Sequence, residues 1–288
     1  MNVIKFKAKD GIVLDGIVMK KGEDNKEILI QVHGMTSNCF KERDKIIADT
    51  ISDLHIDTLR FNNRGSEIAK YIGDGSQKKL GGTAFEDVEE SYYDVVGAIE
   101  YVIEQGYDKI FLQGHSLGCT KVIYTYKKLL ENKSELINKI KGIILLSMVD
   151  IVGIVSQKLD SKFIKFAEEK ERNGELLDWM PSESFIHPVC VKTFLQYVKY
   201  NEKFDFAKFD KTEDEWEVLN SISCPMFMRW GNVNEMISKD AAELSKLANK
   251  KIKNIKKNIS YIDGADHGYH GKEKELAEEI KKFLSEMW

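Results

Sequence analysis

The sequence contains no apolar run that approaches the roughly 20 residues needed to span a bilayer. Residues 1–7 alternate apolar with polar side chains, and they lack the continuous apolar stretch of a signal peptide. This alternation predicts a strand. We therefore expect a soluble, cytoplasmic protein without a membrane partner.

Neither sign of charge predominates in the chain. Its 47 acidic and 43 basic residues give a formal net charge of −4, and the two kinds are intermixed. No basic stripe is present that would follow a nucleic-acid backbone, so we expect no nucleic-acid partner. The sequence also lacks the glycine-rich motifs that cradle phosphates, and no nucleotide cofactor is implied.

Cysteine is scarce, with only Cys39, Cys119, Cys190 and Cys224 in 288 residues. They form no Cys-x-x-Cys pair and no metal-ligand spacing with histidine, so we expect no metal site. Reduced thiols are the rule in cytosolic proteins. Cys39 and Cys119 fall near motifs of the predicted site, and we expect both to be small buried hydrophobic side chains, with a redox or ligand role as the alternative.

What the chain does contain is a regular alternation of predicted strands and helices, which is typical of a mostly parallel, doubly wound α/β sheet. A length of 288 residues suits one large domain with an insertion. Residues 2–8 and 12–20 are predicted to form an antiparallel edge hairpin around Asp10-Gly11. The other predicted strands are 28–32, 57–61, 110–112, 140–148, 225–230 and 258–262, and the predicted helices include 42–53, 83–105, 239–253 and 272–286.

The helix predicted over 83–105 has the clearest apolar periodicity in the chain. Thr83 followed by Glu86 has the spacing of a capping box, which predicts that the helix begins there. Gly106 is predicted to end it.

The alternation of predicted strands and helices stops between residues 150 and 223, where amphipathic, aromatic-rich segments appear. So long a departure between two sheet strands predicts an inserted helical cap over 150–223, with the core formed by 1–149 and 224–288. Most of its aromatic residues are expected to form the core of the cap, and the others to line a pocket. These residues are Phe163, Phe166, Trp179, Phe185, Phe194, Tyr197, Phe204, Phe206 and Phe209.

The chain is organised around Gly114-His115-Ser116-Leu117-Gly118, which follows a short apolar run and precedes a helix-compatible segment. This order of strand, sharp turn and helix is the context that a nucleophile elbow requires. The strained turn presents the serine hydroxyl above the sheet, and the glycines let neighbouring backbone crowd the turn. Ser116 is therefore the predicted nucleophile.

Two further motifs accompany the elbow: His33-Gly34 follows an earlier strand, and Asp266-His267-Gly268 lies near the C-terminus. Together the three motifs, in this order, resemble those of the α/β hydrolases. The resemblance covers nearly the whole chain and implies an α/β-hydrolase fold. Within that family the sequence is similar to a subgroup that includes fungal siderophore esterases, through residues 33–38, 82–86 and 113–118.

The resemblance assigns roles to the remaining site residues. A serine hydroxyl needs a base to take its proton, and the family carries its histidine where His267 stands. The oxyanion would be held by the backbone N–H groups of Met35 and Leu117. Arg64 is expected to fix a loop beside the site, with contact to an anionic substrate as the alternative.

The third member of the triad departs from the family pattern. The family places an aspartate three residues after the glycine at position 231, where this chain has Asn234, whose amide carries no negative charge. Its neighbour Glu235 is the first choice for the acid, ahead of Asp150. Asp263 and Asp266 come third.

These residues predict a serine hydrolase that cleaves a carboxylic ester through an acyl-enzyme on Ser116. The resemblance suggests a bulky ester, such as a siderophore or another secondary metabolite, and no cofactor. Two alternatives stay open. The same Ser-His pair would serve a thioesterase, acyltransferase or peptidase, and Asn234 in place of an acid would suit a non-catalytic ligand-binding protein.

Overall fold

The computed structural model describes residues 1–22, 24–74, 78–206, 209 and 216–287, without the side chains of 156–158. Over these residues the strands are β1 Asn2–Lys7, β2 Val13–Met19, β3 Glu27–Val32, β4 Ile56–Phe61, β5 Lys70–Ile72, β6 Lys79–Gly81, β7 Lys109–His115, β8 Ile140–Leu146, β9 Met226–Gly231 and β10 Lys257–Ile262. The helices are α1 Glu42–Ile51, α2 Ser91–Glu104, α3 Leu117–Glu131, α4 Ile151–Lys158, α5 Ser161–Arg172, α6 Val191–Val198, α7 Glu217–Asn220, α8 Ala241–Lys251 and α9 Glu273–Ser285.

Eight of these strands form one sheet in the order β1-β2-β4-β3-β7-β8-β9-β10. β1 and β2 pair antiparallel at one edge, as the hairpin pattern predicts, and β2 also pairs antiparallel with β4. From β4 to β10 all neighbours are parallel. The predicted doubly wound, mostly parallel sheet is therefore confirmed, and the carboxyl ends of its parallel strands share one edge.

Helices cover both faces of the sheet, because alternate side chains of a strand point to opposite sides. In β3, Ile28 and Ile30 belong to the apolar core beneath α2, α3 and α8, whereas Leu29 belongs to the core beneath α1 and α9. All three side chains are fully buried. This burial on both faces explains why the central strands have continuous apolar sequences.

The helix predicted to begin at Thr83 begins instead at Ser91, after a short 3₁₀ turn over Val88–Glu90. Thr83 is not a helix cap: its hydroxyl accepts a hydrogen bond from the Thr36 N–H at 2.7 Å and donates one to the Gly65 carbonyl at 3.0 Å. The capping-box prediction is wrong because these tertiary partners replace the local ones. The predicted end is correct, since Gly106 has φ +91° just after α2.

Between β8 and β9 the chain forms α4, α5, α6 and α7, which we call the helical insertion. α5 and α6 share a small core of their own that includes Phe163, Ala167 and Phe194. Residues 207, 208 and 210–215 of the predicted cap lie outside the described residues. The boundaries at 150 and 223 and the division into core and cap stay a prediction.

Candidate active site

Ser116 lies in the sharp turn between β7 and α3, with φ 55° and ψ −127°. This backbone conformation is strained for a residue with a side chain. The turn is crowded on both sides: a Cβ on Gly118 would lie 2.1 Å from the carbonyl oxygen of Val32, and one on Gly114 would lie 2.5 Å from the amide nitrogen of Cys119. The two glycines therefore allow the close packing that holds Ser116 above the sheet.

The loop after β3 packs directly against this turn. A Cβ on Gly34 would lie 2.9 Å from the Ser116 Cβ, so only glycine fits between them. The neighbouring backbone N–H of Met35 and the N–H of Leu117, at the first position of α3, have no acceptor among the described residues. Met35 and Ser116 line the same cavity, and Leu117 directly follows Ser116 in the chain.

His267 lies in the loop that follows β10 and contributes to the same cavity. Its backbone carbonyl accepts a hydrogen bond of 2.8 Å from Nε2 of His115, the residue before the serine. Burial keeps the pKa of His115 well below its ordinary value of 6.5, so this ring is neutral. The buried imidazole thus connects the elbow to the loop that carries His267.

Glu235 is the acidic residue that contacts the His267 ring. Its Oε1 is hydrogen-bonded to His267 Nδ1, and the carboxylate is nearly inaccessible, with 3% of the side chain exposed. Burial disfavours the charged form, but hydrogen bonds from His267, Ser147 and the Gly231 amide outweigh it and lower the pKa of Glu235. The group is therefore an anion at neutral pH.

Ser147 contacts this carboxylate and Tyr269 contacts Ser147, although the sequence motifs pointed to neither residue. The Ser147 hydroxyl, just after β8, donates to Glu235 Oε2 at 2.7 Å. The Tyr269 hydroxyl donates to the Arg229 carbonyl at 2.8 Å and lies 3.1 Å from the Ser147 amide. Their positions in the sequence could have identified both residues, since Ser147 directly follows β8 at the carboxyl edge of the sheet and Tyr269 lies two residues after His267.

The other candidates for the acid have partners elsewhere. Asn234 is exposed in a left-handed turn with φ 50°, and this turn brings the next residue inward. Asp150 caps α4 by accepting from the Gly153 N–H at 2.8 Å. Asp263 accepts from the Asn232 amide at 2.7 Å, and Asp266 is bonded to His270 at 2.8 Å.

Arg64 is 2% exposed and is bound to the carboxylates of Asp94, Glu90 and Asp10, so it fixes its loop and does not face the cavity. The Cys119 thiol is fully buried, and burial raises its pKa above the ordinary range. Cys39 is also buried, and burial raises the pKa of its thiol. Both thiols are therefore protonated at neutral pH, as small buried side chains are.

The cavity at Ser116 has a volume of about 340 Å³. The helical insertion contributes His187 to its wall. None of the nine aromatic residues named for the cap, all of which are described, lines it, and six of them are buried in apolar cores. Met35 and Met236 provide apolar surface, and the basic residues Lys41 and Arg43 also line the cavity.

Two kinds of feature are absent from the part of the chain that the structure describes. No group of three or more histidine, cysteine or carboxylate side chains comes together there in a way that could hold a metal ion. No helix among these residues has the length and apolar character to cross a membrane.

Residues 81–286 match the model of a family described as "Protein of unknown function (DUF1749)". No curated protein sequence matches the chain at a significant level. Among solved structures, the fold is similar to Est1E from Butyrivibrio proteoclasticus with bound ferulic acid, at 18% identity over 98% of each chain and a TM-score of 0.64.

Two further structures show the same fold. Alpha/beta hydrolase domain-containing protein 10 from mouse is 15% identical over all of both chains, with a TM-score of 0.65. The alpha/beta hydrolase GrgF from Penicillium sp. sh18 is 13% identical over 99% of this chain and 98% of its own, with a TM-score of 0.68. The fold predicted from the three sequence motifs, that of the α/β hydrolases, is confirmed.

Proposed function

The chain belongs to the DUF1749 family and has the α/β-hydrolase fold, and from this premise we propose that it is a serine hydrolase that cleaves a carboxylic ester. Ser116 is the nucleophile, His267 the general base and Glu235 the acid of the triad. The backbone N–H groups of Met35 and Leu117 form the oxyanion hole. No cofactor takes part.

One observation carries this proposal: a serine held in a strained elbow shares a cavity with a histidine whose far nitrogen is bonded to a buried carboxylate. The bond to Glu235 Oε1 requires a donor at Nδ1, which leaves Nε2 of neutral His267 as an acceptor. That is the tautomer able to take the proton of a serine hydroxyl.

In the proposed reaction, the Ser116 oxygen attacks the ester carbonyl while Nε2 of His267 takes its proton. The carboxylate of Glu235 stabilises the imidazolium that forms. The negative charge on the tetrahedral oxygen develops beside the Met35 and Leu117 amides, and each such donor contributes about 3 kcal/mol in other serine hydrolases. His267 then protonates the leaving alcohol, and water resolves the acyl-enzyme.

We propose a small-molecule ester as the substrate class. The volume of about 340 Å³ is near the lower end of the range for ligand cavities, so it suits the acyl part of an ester whose alcohol part extends outward. Ferulic acid bound to Est1E is consistent with an acyl group of modest size. A siderophore or other bulky secondary metabolite stays a prediction, as do the cap, the cytoplasmic location and the absence of a nucleic-acid or membrane partner.

The test is intact-mass analysis after treatment with a fluorophosphonate probe. We expect one adduct on the wild type and none on Ser116→Ala. Ser37→Ala is the matched control, because Ser37 lines the same cavity without a role in the proposed chemistry. Failure of the wild type to label while small esters are shown to enter the cavity would contradict the proposal and favour a ligand-binding protein. Product analysis with competing amines, alcohols and thiols separates hydrolysis from acyl transfer.

A further inference from the structure

A buried ion pair lies beneath the active site without a part in the proposed chemistry. Lys121 is in the second turn of α3, five residues after Ser116, and its ammonium group contacts a carboxylate oxygen of Glu86. The two side chains are 0% and 1% exposed. The fit is close, because a Cβ on Gly65 would lie 2.2 Å from the Glu86 carboxyl group.

Stability alone is a poor explanation for such a pair. Removing two charges from water costs as much as their attraction returns, and buried pairs are often replaced by apolar side chains with no loss of stability. A buried pair is better explained by what it orients. The relevant contacts are therefore those that Lys121 makes besides Glu86.

Lys121 Nζ donates a second hydrogen bond, of 3.1 Å, to the Oδ1 atom of Asn63. The Gly65 amide donates to the same oxygen at 3.0 Å. Two donors on one side of the Asn63 amide leave its Nδ2 group on the other side, where it donates to the His33 carbonyl at 3.1 Å. Asn63 is completely buried, so water does not substitute for these partners.

Asn63 holds His33 at a second point, since its backbone N–H donates to His33 Nε2 at 3.2 Å. The other ring nitrogen of His33 is bonded to the Gly34 carbonyl at 2.9 Å. Burial, followed by the nearby charge of Lys121, lowers the pKa of His33 to about 3, which keeps the ring neutral and able to accept. The backbone fixed in this way is the one that leads to the Met35 N–H.

We propose that Lys121, held by Glu86, is a positioning residue for the oxyanion hole: it orients the Asn63 amide, which fixes the His33-Gly34-Met35 backbone against the elbow. The inference rests on the proposed function for its effect on rate, but the positioning itself is a property of the fold. The nucleophile then directly precedes α3, and the second turn of the same helix supplies the anchor of the facing loop.

The first part of the test measures the loop without reference to activity. Hydrogen exchange of peptides covering residues 33–39 is compared between wild type, Lys121→Met and the double variant Lys121→Met/Glu86→Gln, which removes both charges and guards against failure of the single variant to fold. We expect exchange there to accelerate about tenfold, with α9 unchanged. The control is Tyr107→Phe, which deletes a buried 2.6 Å hydrogen bond to Asp57 at the opposite edge of the sheet.

The second part measures kcat and KM on a small p-nitrophenyl ester. We expect kcat to fall about 100-fold in Lys121→Met, with KM changed less than about threefold, because a displaced donor weakens binding of the transition state more than that of the substrate. The inhibition constant of a trifluoromethyl ketone should rise in parallel with the loss in kcat/KM. In an Asn63→Leu background the same substitution should change kcat less than about threefold, since the path through Asn63 is already broken.

The possible outcomes distinguish failure of the positioning role of Lys121 from failure of the proposed function. Unchanged exchange over 33–39 overturns the positioning role. Faster exchange with unchanged kcat overturns its importance for the reaction, and so does full additivity with Asn63→Leu. A wild type that neither labels nor hydrolyses esters contradicts the proposed function, and the exchange data then decide the positioning role alone.

Discussion

Replacing Glu235 by glutamine keeps the size of the side chain and removes its charge. In the structure the carboxylate accepts four hydrogen bonds. His267 Nδ1 and the Met236 N–H, the latter at 2.9 Å, donate to Oε1. The Ser147 hydroxyl at 2.7 Å and the Gly231 N–H at 3.0 Å donate to Oε2. The glutamine amide has one acceptor oxygen, whereas these four donors require two.

Neither orientation of the introduced amide restores the site. With its oxygen toward His267, the NH₂ group opposes the Gly231 N–H, and an unsatisfied buried donor costs about 1–3 kcal/mol of stability. With its NH₂ toward His267, Nδ1 must accept, the ring proton moves to Nε2, and the base can no longer take the proton of Ser116. In both cases the imidazolium loses its counter-charge. We expect kcat to fall about 10⁴-fold, which corresponds to about 5.4 kcal/mol.

The assay is kcat on a p-nitrophenyl ester for wild type, Glu235→Gln and Glu235→Asp, with thermal unfolding to confirm the fold. Glu235→Asp keeps the charge on a shorter side chain and should lose less activity than Glu235→Gln. If Glu235→Gln retains more than about a tenth of wild-type kcat, the acid lies elsewhere and the reasoning fails.

The same variant has a stability signature. The folded protein lowers the pKa of Glu235, so its contribution to stability is fully present above the ordinary pKa of about 4.3 and is lost as the pH falls through the lower, folded value. The difference in unfolding free energy between wild type and Glu235→Gln should therefore narrow as the pH falls below about 4.3. A difference that stays constant with pH would contradict the lowered pKa.

Three further predictions follow from local geometry. Gly118→Ala places a methyl group 2.1 Å from the Val32 carbonyl oxygen, so we expect a lower melting temperature and loss of fluorophosphonate labelling. A variant that is as stable as the wild type and is fully labelled would contradict this close approach. The folded protein lowers the pKa of His33 from its ordinary 6.5 to about 3, so the unfolded state binds a proton at a higher pH than the folded state does. The free energy of unfolding should therefore fall by up to about 5 kcal/mol as the pH is lowered from 6.5 to 3. An equal dependence of the unfolding free energy on pH in His33→Gln would refute this. Thr83→Val removes the acceptor of the Thr36 N–H, where Thr36 has φ 49°, and should cost about 1–3 kcal/mol by denaturant unfolding, whereas Thr83→Ser should cost less.

The sequence predicted the sheet well because the relevant signals are local. Continuous apolar runs indicate strands buried on both faces, and the elbow motif combines a strand, a tight glycine-flanked turn and a helix within about a dozen residues. The capping box at Thr83 failed because its signal is also local, while the Thr83 hydroxyl has partners in two distant loops. The sequence narrowed the acid of the triad to a few candidate carboxylates. Only the folded chain brings one of them, Glu235, into contact with His267.

By itself, then, the sequence determined the succession of strands and helices along the chain, the elbow at Ser116 and the position of His267 after the last strand. These features could be predicted because backbone conformation and apolar periodicity depend on residues that are near one another in the sequence. The tertiary structure decided which groups meet. The left-handed turn at Asn234 brings Glu235 into contact with His267, and the packing of α3 against the loop after β4 brings Lys121 to Asn63. The first contact joins residues that are 32 positions apart in the sequence, and the second joins residues that are 58 positions apart. No sequence pattern identifies the partner of a buried charge.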